Sequence, residues 1–253
     1  KRYDPWADSR EFIKKGIPNE AIREYLMILL NSNFETFRLQ NPTKDMNEYK
    51  FSIKNMNKSG AQFDHEKLTF ISKNVISRFT AEKVYSDVLN YAKNYDEELY
   101  NLIKDRQEYV TKMFSIERGT NKPRKDISCY SEIKTLYYYF FNELFDKCDK
   151  DYPFDERFKK ETIKEILRRY LSSYDENDEK DVWFNKIKFL AEDLGFASDM
   201  KEYKANKDNY MGSYADTAGI IRIALTKETN TPDLYEICRL LKKDEIKRRI
   251  DLI

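Results

Sequence analysis

The strongest candidate for chemistry in this sequence is a basic segment at residues 112–125. It carries five cationic side chains and a single acid, Glu117. Single-stranded RNA is bound by cations that follow its phosphates, and an arginine can also hydrogen-bond a base edge with two donors. A merely solvated basic loop has the same composition, and that alternative stays open. The cations are Lys112, Arg118, Lys122, Arg124 and Lys125.

Two other groups of residues could contact RNA but have plainer interpretations. Lys54, Lys58 and Lys67 surround a loop at residues 57–61 and form a weaker patch, which could equally be a solubilising surface. The aromatic run at residues 137–141 could stack bases, but its apolar stripe predicts core. The C-terminal cations are predicted to be helix-end charges that the helix dipole favours: Arg239, Lys242, Lys243, Lys247, Arg248 and Arg249.

The sequence gives no indication of catalysis or of a metal site. His65 is the only histidine, and its neighbours Asp64 and Glu66 point in different directions at a helix start, so a structural role is predicted. The motifs G-x-G-x-x-G, Walker A and G-x-S-x-G are absent. Among 45 Asp and Glu residues, no pair is singled out for acid–base work. We therefore predict no catalytic residue and no metal ligand.

The composition predicts an all-α fold. Hydrophobic residues make up 40% of the 253 positions, while only 6 Gly and 6 Pro interrupt the helix formers. Cys129, Cys148 and Cys238 are far apart, which is typical of a reduced cytoplasmic protein. No apolar run approaches the roughly 20 residues of a membrane span, and no signal peptide is visible. Because the net charge is only +1, RNA binding would depend on local patches.

Caps and apolar periodicity mark the helices that would position the basic loop. Asp4 and Pro5 predict the start of a first helix, and Gly16 predicts its end. Thr80 predicts the N-cap of a later helix. Residues 131–145 carry the clearest amphipathic pattern and are predicted to form one continuous helix.

These elements predict a multi-helix bundle or cage of two to three subdomains. A short alternation of apolar and polar residues predicts at most a small strand element near residues 49–54. Boundaries near residues 79 and 150 predict three parts: 1–78, 79–150 and 151–253.

Three separated stretches resemble bacterial glutamyl-tRNA synthetases and occur in the same order. The first is residues 1–30, with Lys-Arg, an acidic turn, a helix, Gly-Ile-Pro and a second helix. The second, residues 57–68, is similar to the K-S-G-A-x-F-D-x-x-K-L loop and helix of that family. The third, residues 219–237, is similar to its closing R-x-A-L-T and P-x-L-x-x-I region. Together the three stretches are spread along almost the whole chain, from residue 1 to residue 237.

The resemblance implies a stem-contact domain followed by an all-helical anticodon-binding region. Lys1 and Arg2 match the last two residues of the K-L-S-K-R signature, which holds ATP phosphates in the family. We therefore expect an RNA-binding half without its catalytic domain, inactive alone. The parent would be a class I aminoacyl-tRNA synthetase that attaches glutamate to tRNA-Glu with ATP and Mg²⁺.

The resemblance also implies which residues meet RNA. Arg124 is the nearest equivalent of a family arginine that helps distinguish the last anticodon base, and Arg118 is its rival. Lys122 and Lys125 would accompany them at the anticodon loop. The stem contact would use Lys54, Lys58 and Ser59.

The partner implied is tRNA-Glu, bound by a cytoplasmic monomer, and acceptance of tRNA-Gln stays open. A departure from the family pattern is Lys242-Lys243, where the family tends to have Gly before the last helix. The alternative function is a helical protein-interaction scaffold without an RNA role.

Overall fold

The computed structural model describes residues 8–56 and 62–253, which form fourteen α-helices, short 3-10 turns and no strand. The predicted all-α fold is thereby confirmed. The chain divides into two compact units, residues 1–136 (unit 1) and 137–253 (unit 2). The division into a stem-contact part and two anticodon-binding parts stays a prediction.

Among the described residues, seven helices lie in unit 1, six lie in unit 2, and one contains the boundary. Those of unit 1 are α1 Ser9–Lys15, α2 Asn19–Leu30, α3 Asn33–Gln40, α4 His65–Arg78, α5 Ala81–Tyr95, α6 Glu97–Ile103 and α7 Gln107–Ser115. The boundary helix is α8 Ile133–Tyr137. Those of unit 2 are α9 Asn142–Phe145, α10 Lys160–Ser173, α11 Lys180–Asp193, α12 Met200–Ala205, α13 Tyr214–Thr226 and α14 Leu234–Ile250.

Residues 49–54, where the sequence predicts at most a small strand element, contain no strand. Two 3-10 turns, Met46–Glu48 and Ile53–Asn55, occupy this region, and a capping box between Asp45 and Glu48 starts the first. The side chain of Ile53 is exposed and forms no buried face. Three alternating residues are too few to establish a strand when local capping favours a turn.

The turn between α1 and α2 depends on Gly16, which ends α1 as predicted. Its φ of +74° is left-handed. A Cβ at this position would lie 2.7 Å from Cδ2 of Tyr91 and 2.8 Å from Cβ of Tyr130, so only glycine fits. The start of α1 is capped by Asp8, which accepts a hydrogen bond from the Arg10 N–H. The predicted cap, residues 4 and 5, lies outside the described residues.

The first core of unit 1 forms where α2 packs on α4, with α1 and α3 beside them. Glu24 is buried in this region. Its Oε1 lies 2.8 Å from Nη2 of Arg38 and 2.6 Å from Nη2 of Arg78. The cluster joins α2, α3 and α4, because each helix supplies one of the three charges.

Helix α5 begins where the sequence predicts. The Thr80 side chain accepts a hydrogen bond from the Lys83 N–H at 3.2 Å, so the predicted N-cap is confirmed. Helices α6 and α7 follow and pack against α5. They bring the chain to the basic segment that the sequence singles out.

The continuous helix predicted over 131–145 is wrong. A 3-10 turn at Tyr130–Glu132, α8, a second 3-10 turn at Tyr138–Phe140 and α9 take its place. All five aromatic residues at 137–141 are buried. A continuous surface helix buries only one stripe, so five consecutive buried rings require a break in the helix. The run is core, as its plainer interpretation predicts.

Unit 2 packs α10, α11, α13 and α14 around a second core that encloses Arg249. Arg249 lies in the last turn of α14, as predicted, but its side chain is 0% exposed, which the sequence did not indicate. Its guanidinium carbon lies 3.9 Å from the centroid of the Phe145 ring. Its hydrogen-bond partners, at 2.6–3.1 Å, are the backbone oxygens of Tyr139 and Leu225, Oε1 of Glu245 and Oδ1 of Asn142.

Helix α14 is kinked at Lys242, within the Lys242-Lys243 pair at which the sequence departs from the pattern it resembles. Lys242 has φ 62° and ψ 165°, a backbone conformation that residues other than glycine rarely adopt. An open groove of about 640 Å³ borders the kink, lined in part by Ser172, Asp175, Lys186 and Lys243.

Candidate nucleic-acid interface

The basic segment follows α7 and is tethered to α4. Arg118 Nη1 donates hydrogen bonds to the backbone oxygens of Ile76 at 2.5 Å and Phe79 at 3.1 Å, at the C-terminal end of α4. At the other end of the segment, Ser72 Oγ donates to the backbone oxygen of Ser128 at 2.5 Å. The loop is therefore held to one helix on both sides.

The loop is also closed on itself. The Arg124 N–H donates to the backbone oxygen of Glu117 at 3.3 Å. Glu117 and Gly119 have left-handed φ values of 55° and 73°, which turn the chain back within a few residues. We call residues 117–127, closed and tethered in this way, the recognition loop.

The two candidate arginines have different environments. Arg118 is half-buried, and its Nε also donates to the backbone oxygen of Phe114 at 2.8 Å. Arg124 is paired instead with carboxylates: its Nε donates to Asp126, and its Nη1 lies 3.8 Å from Oε2 of Glu117. Arg118 therefore holds the loop on α4, whereas Arg124 is held by acidic residues of the loop itself.

The three lysines of the segment also differ in their exposure and in their partners. Lys122 is exposed in the recognition loop. Lys125 is exposed, but its Nζ donates to Oδ1 of Asn74 on α4 at 2.6 Å. Lys112 is bound to Glu108 at 2.7 Å, and this hydrogen bond lowers the pKa of the Glu108 carboxyl. The positive charge facing solvent therefore concentrates at Lys122 and Lys125.

The predicted stem-contact residues are only partly described. Lys54 is exposed in the 3-10 turn at Ile53–Asn55. Lys67, from the same predicted patch, pairs with Glu35 at 3.1 Å. The remaining predicted residues Lys58, Ser59, Lys1 and Arg2 lie outside the described residues. The structure thus joins Arg118, Arg124 and Lys125 in one loop and leaves Lys54 in a separate turn.

The remaining candidates take structural positions. His65 is the first residue of α4, and Asp64 caps that helix by accepting from the Lys67 N–H at 3.0 Å. Within residues 8–56 and 62–253, no group of three His, Cys, Asp or Glu side chains is arranged to hold a metal ion. No described helix is both long and apolar enough to cross a membrane.

Sequence reasoning missed the part that α4 plays in this surface. Phe70 and Asn74 lie one turn apart on its solvent face, and Asn74 is the residue that receives Lys125. One signal was available: Phe70 falls off the buried stripe formed by Leu68, Ile71 and Val75. A large aromatic outside the stripe of an amphipathic helix is expected on the surface.

Comparison with known proteins identifies the family. A model of the anticodon binding domain matches residues 83–253, which include the recognition loop. The chain is 41% identical over 250 residues to the glutamate–tRNA ligase of Acetivibrio thermocellus, covering 99% of this chain and 45% of that protein. It is 39% identical over 251 residues to the enzyme of Clostridium perfringens strain 13, covering 99% and 46%.

A solved structure has the same fold. The glutamate-tRNA synthetase of Elizabethkingia anophelis matches with a TM-score of 0.59 and 19% identity, over 95% of this chain and 41% of that one. This chain spans less than half the length of the relatives it matches. The resemblance to bacterial glutamyl-tRNA synthetases is confirmed, and the chain belongs to the anticodon-binding domain family.

Proposed function

We propose that this chain is the tRNA-binding portion of a glutamyl-tRNA synthetase and that it holds the inner corner and the anticodon of tRNA-Glu. The observation that carries this proposal is the recognition loop, a tethered basic loop inside the matched anticodon-binding region. A rigid loop that presents cations can follow phosphates and place one arginine at a base edge.

The parent enzyme would attach glutamate to tRNA-Glu with ATP and Mg²⁺, acting in the cytoplasm as a monomer. Lys1 and Arg2 would end the signature that holds the ATP phosphates. The chemistry would belong to the part of the relatives that this chain does not cover, and we expect the chain alone to give no glutamyl-tRNA. Acceptance of tRNA-Gln stays an open alternative.

Within this proposal, Arg124 reads the anticodon and Arg118 positions the loop. The Asp126 carboxylate, which holds Arg124 in the free protein, would release it when a base replaces the carboxylate. Lys122 and Lys125 would contact phosphates, since both are exposed. Lys54, Lys58 and Ser59 would contact the stem.

The test is tRNA-Glu binding across a salt series, with anticodon-substituted transcripts. Arg124→Ala should cost about 1–3 kcal/mol and blur discrimination at one anticodon position. Lys122→Ala should weaken all transcripts alike and reduce the salt slope by about 1. Arg118→Ala should also lower the affinity for all transcripts, because the loop loses its attachment to α4. The salt dependence of the affinity should then stay unchanged.

Asp126→Asn is the matched control for Arg124, because it removes the competing carboxylate and keeps the arginine. Its affinity for cognate tRNA should equal or exceed that of the wild type. Salt-independent or absent tRNA binding by the wild-type chain would instead favour a protein-interaction scaffold.

A further inference from the structure

The inference concerns the solvent face of α4 and rests on the proposed function. Phe70 has 64% of its surface exposed. Within residues 8–56 and 62–253, the other rings near the first core pack on one another, such as Phe12 on Phe63 and Phe34 on Tyr49, and none packs on Phe70. One exposed ring alone would need no explanation. Whether Phe70 is a binding residue therefore depends on the side chains around it.

Those surroundings match what an RNA nucleotide requires. Lys73 and Asn74 follow Phe70 by three and four residues, so they border the ring on the same face of α4. Asn74 Nδ2 donates to the backbone oxygen of Phe70 at 2.7 Å, and its Oδ1 accepts from Lys125 Nζ at 2.6 Å. The recognition loop thereby places a cation within one helical turn of the ring.

The opposing charge on this face is Glu66, one turn before Phe70 and exposed. Lys73 and Lys125 lie on the other side of the ring, toward the recognition loop. A phosphate bound by Lys73 and Lys125 would therefore leave its base directed toward the ring and away from the carboxylate. Aromatic side chains flanked by cations are the recurring arrangement for bases splayed out of a single-stranded region.

We propose that Phe70 is a stacking platform for an unpaired nucleotide of the bound tRNA, with Lys73 and Lys125 at its phosphate. This adds a residue outside the matched anticodon-binding region to the binding surface. A stacking contact differs from a phosphate contact because it contributes affinity without releasing counterions.

The test compares Phe70→Ala with Phe189→Ala, which removes an equally exposed ring (68%) from α11 in unit 2. Phe70→Ala should weaken binding of a tRNA-Glu transcript about 5- to 150-fold. It should leave the slope of log affinity against log salt unchanged, whereas Lys125→Ala should reduce that slope by about 1. Phe189→Ala should bind like the wild type. Thermal melts should be unchanged for both, because both rings are exposed.

A second variant reports stacking directly. Phe70→Trp should keep wild-type affinity within about threefold, since any aromatic ring can stack on a base. The fluorescence of the new indole should be quenched when the transcript binds, and that of Phe189→Trp should not.

Three results would overturn the inference: Phe70→Ala binding within twofold of the wild type, equal losses for Phe70→Ala and Phe189→Ala, or an unquenched indole at position 70. In each case the wild-type chain still binds tRNA, so the proposed function survives. The first result would leave the α4 face to a protein partner. If the wild-type chain does not bind the transcript, the proposed function fails and this inference fails with it.

Discussion

Each unit of the protein buries a charged cluster, but the central charge has the opposite sign in the two. In unit 1 the centre is an acid, Glu24, enclosed by two arginines from neighbouring helices. In unit 2 the centre is a base, Arg249, whose partners are one carboxylate and three neutral oxygens.

The difference shows two uses of buried charge. The carboxylate of Glu24 joins three regular helices, and either arginine can still neutralise it when the other is absent. Arg249 has a different task, because its donors satisfy backbone oxygens where the chain leaves helical geometry, at Tyr139 and near the end of α13. Loss of Arg249 would remove both of those donors at once, so unit 2 should be the more sensitive of the two.

The largest effect is expected for Arg249→Met. It would leave buried oxygens without donors and should lower the free energy of unfolding by about 3–5 kcal/mol. Hydrogen exchange should show the loss of protection first in α13 and α14. The matched control is Arg248→Met, which removes a half-buried arginine from the same Glu245 and should cost less than about 1 kcal/mol. Similar losses for the two variants would contradict the special role of Arg249.

A smaller effect is expected for Glu24→Gln in unit 1. The two arginines would lose their counter-charge, but both reach solvent in part, so we expect about 2 kcal/mol of destabilisation. Hydrogen exchange in α2 and α4 measures it. Glu20→Gln, which weakens an exposed pair with Lys83, should change stability by less than about 0.5 kcal/mol. A loss as large as that of Arg249→Met would remove the contrast between the units.

A gain in stability is expected for Lys242→Gly. The φ and ψ of Lys242 lie in a region that glycine adopts without strain, so the variant should stabilise unit 2 by about 1 kcal/mol. Lys243→Gly, one residue further along α14, should instead destabilise by about 1 kcal/mol. Urea titration distinguishes the two signs, and a loss for both variants would refute the strained geometry.

The smallest effect is expected for Glu245→Gln, which should change how the stability of unit 2 depends on pH. Burial raises the pKa of Glu245, but the hydrogen bonds from Arg248 and Arg249 outweigh this effect. The pKa of Glu245 in the folded protein therefore lies below its ordinary value of 4.5. A lowered folded-state pKa contributes stability that is present above pH 4.5 and lost as the pH falls through the folded value. Unfolding measured from pH 6 to pH 3 should therefore depend less on pH in Glu245→Gln. An unchanged slope would mean that Glu245 is not neutralised by its arginines.

Local signals in the sequence predicted the all-α fold. Particular residues show which structural features such signals can predict and which they cannot. Gly16 and Thr80 were predictable because their roles depend on a few neighbours in the chain. The breaks at residues 137–141 were not, because a helical stripe cannot reveal that its opposite face is also buried. The burial of Arg249 was not predictable for a related reason: its partners lie up to 110 residues away in sequence.

The recognition loop shows the same limit for the candidate site. Composition located its cations, but the assignment of Arg118 to backbone oxygens and of Arg124 to Asp126 required the tertiary contacts with α4 and within the loop. The resemblance left the two arginines as rivals. Their partners in the structure give each a distinct expected behaviour, although which one reads a base stays a prediction.

The double tether of the recognition loop also has a consequence for binding kinetics. A loop fixed at Ser72 and at the end of α4 is ordered before any partner arrives, so little conformational entropy is lost on encounter. Association should then proceed without a slow ordering step, and variants that remove single contacts should act mainly on the dissociation rate. Cutting the tether with Ser72→Ala should have the opposite signature and slow association, as a disordered loop must find its bound shape anew.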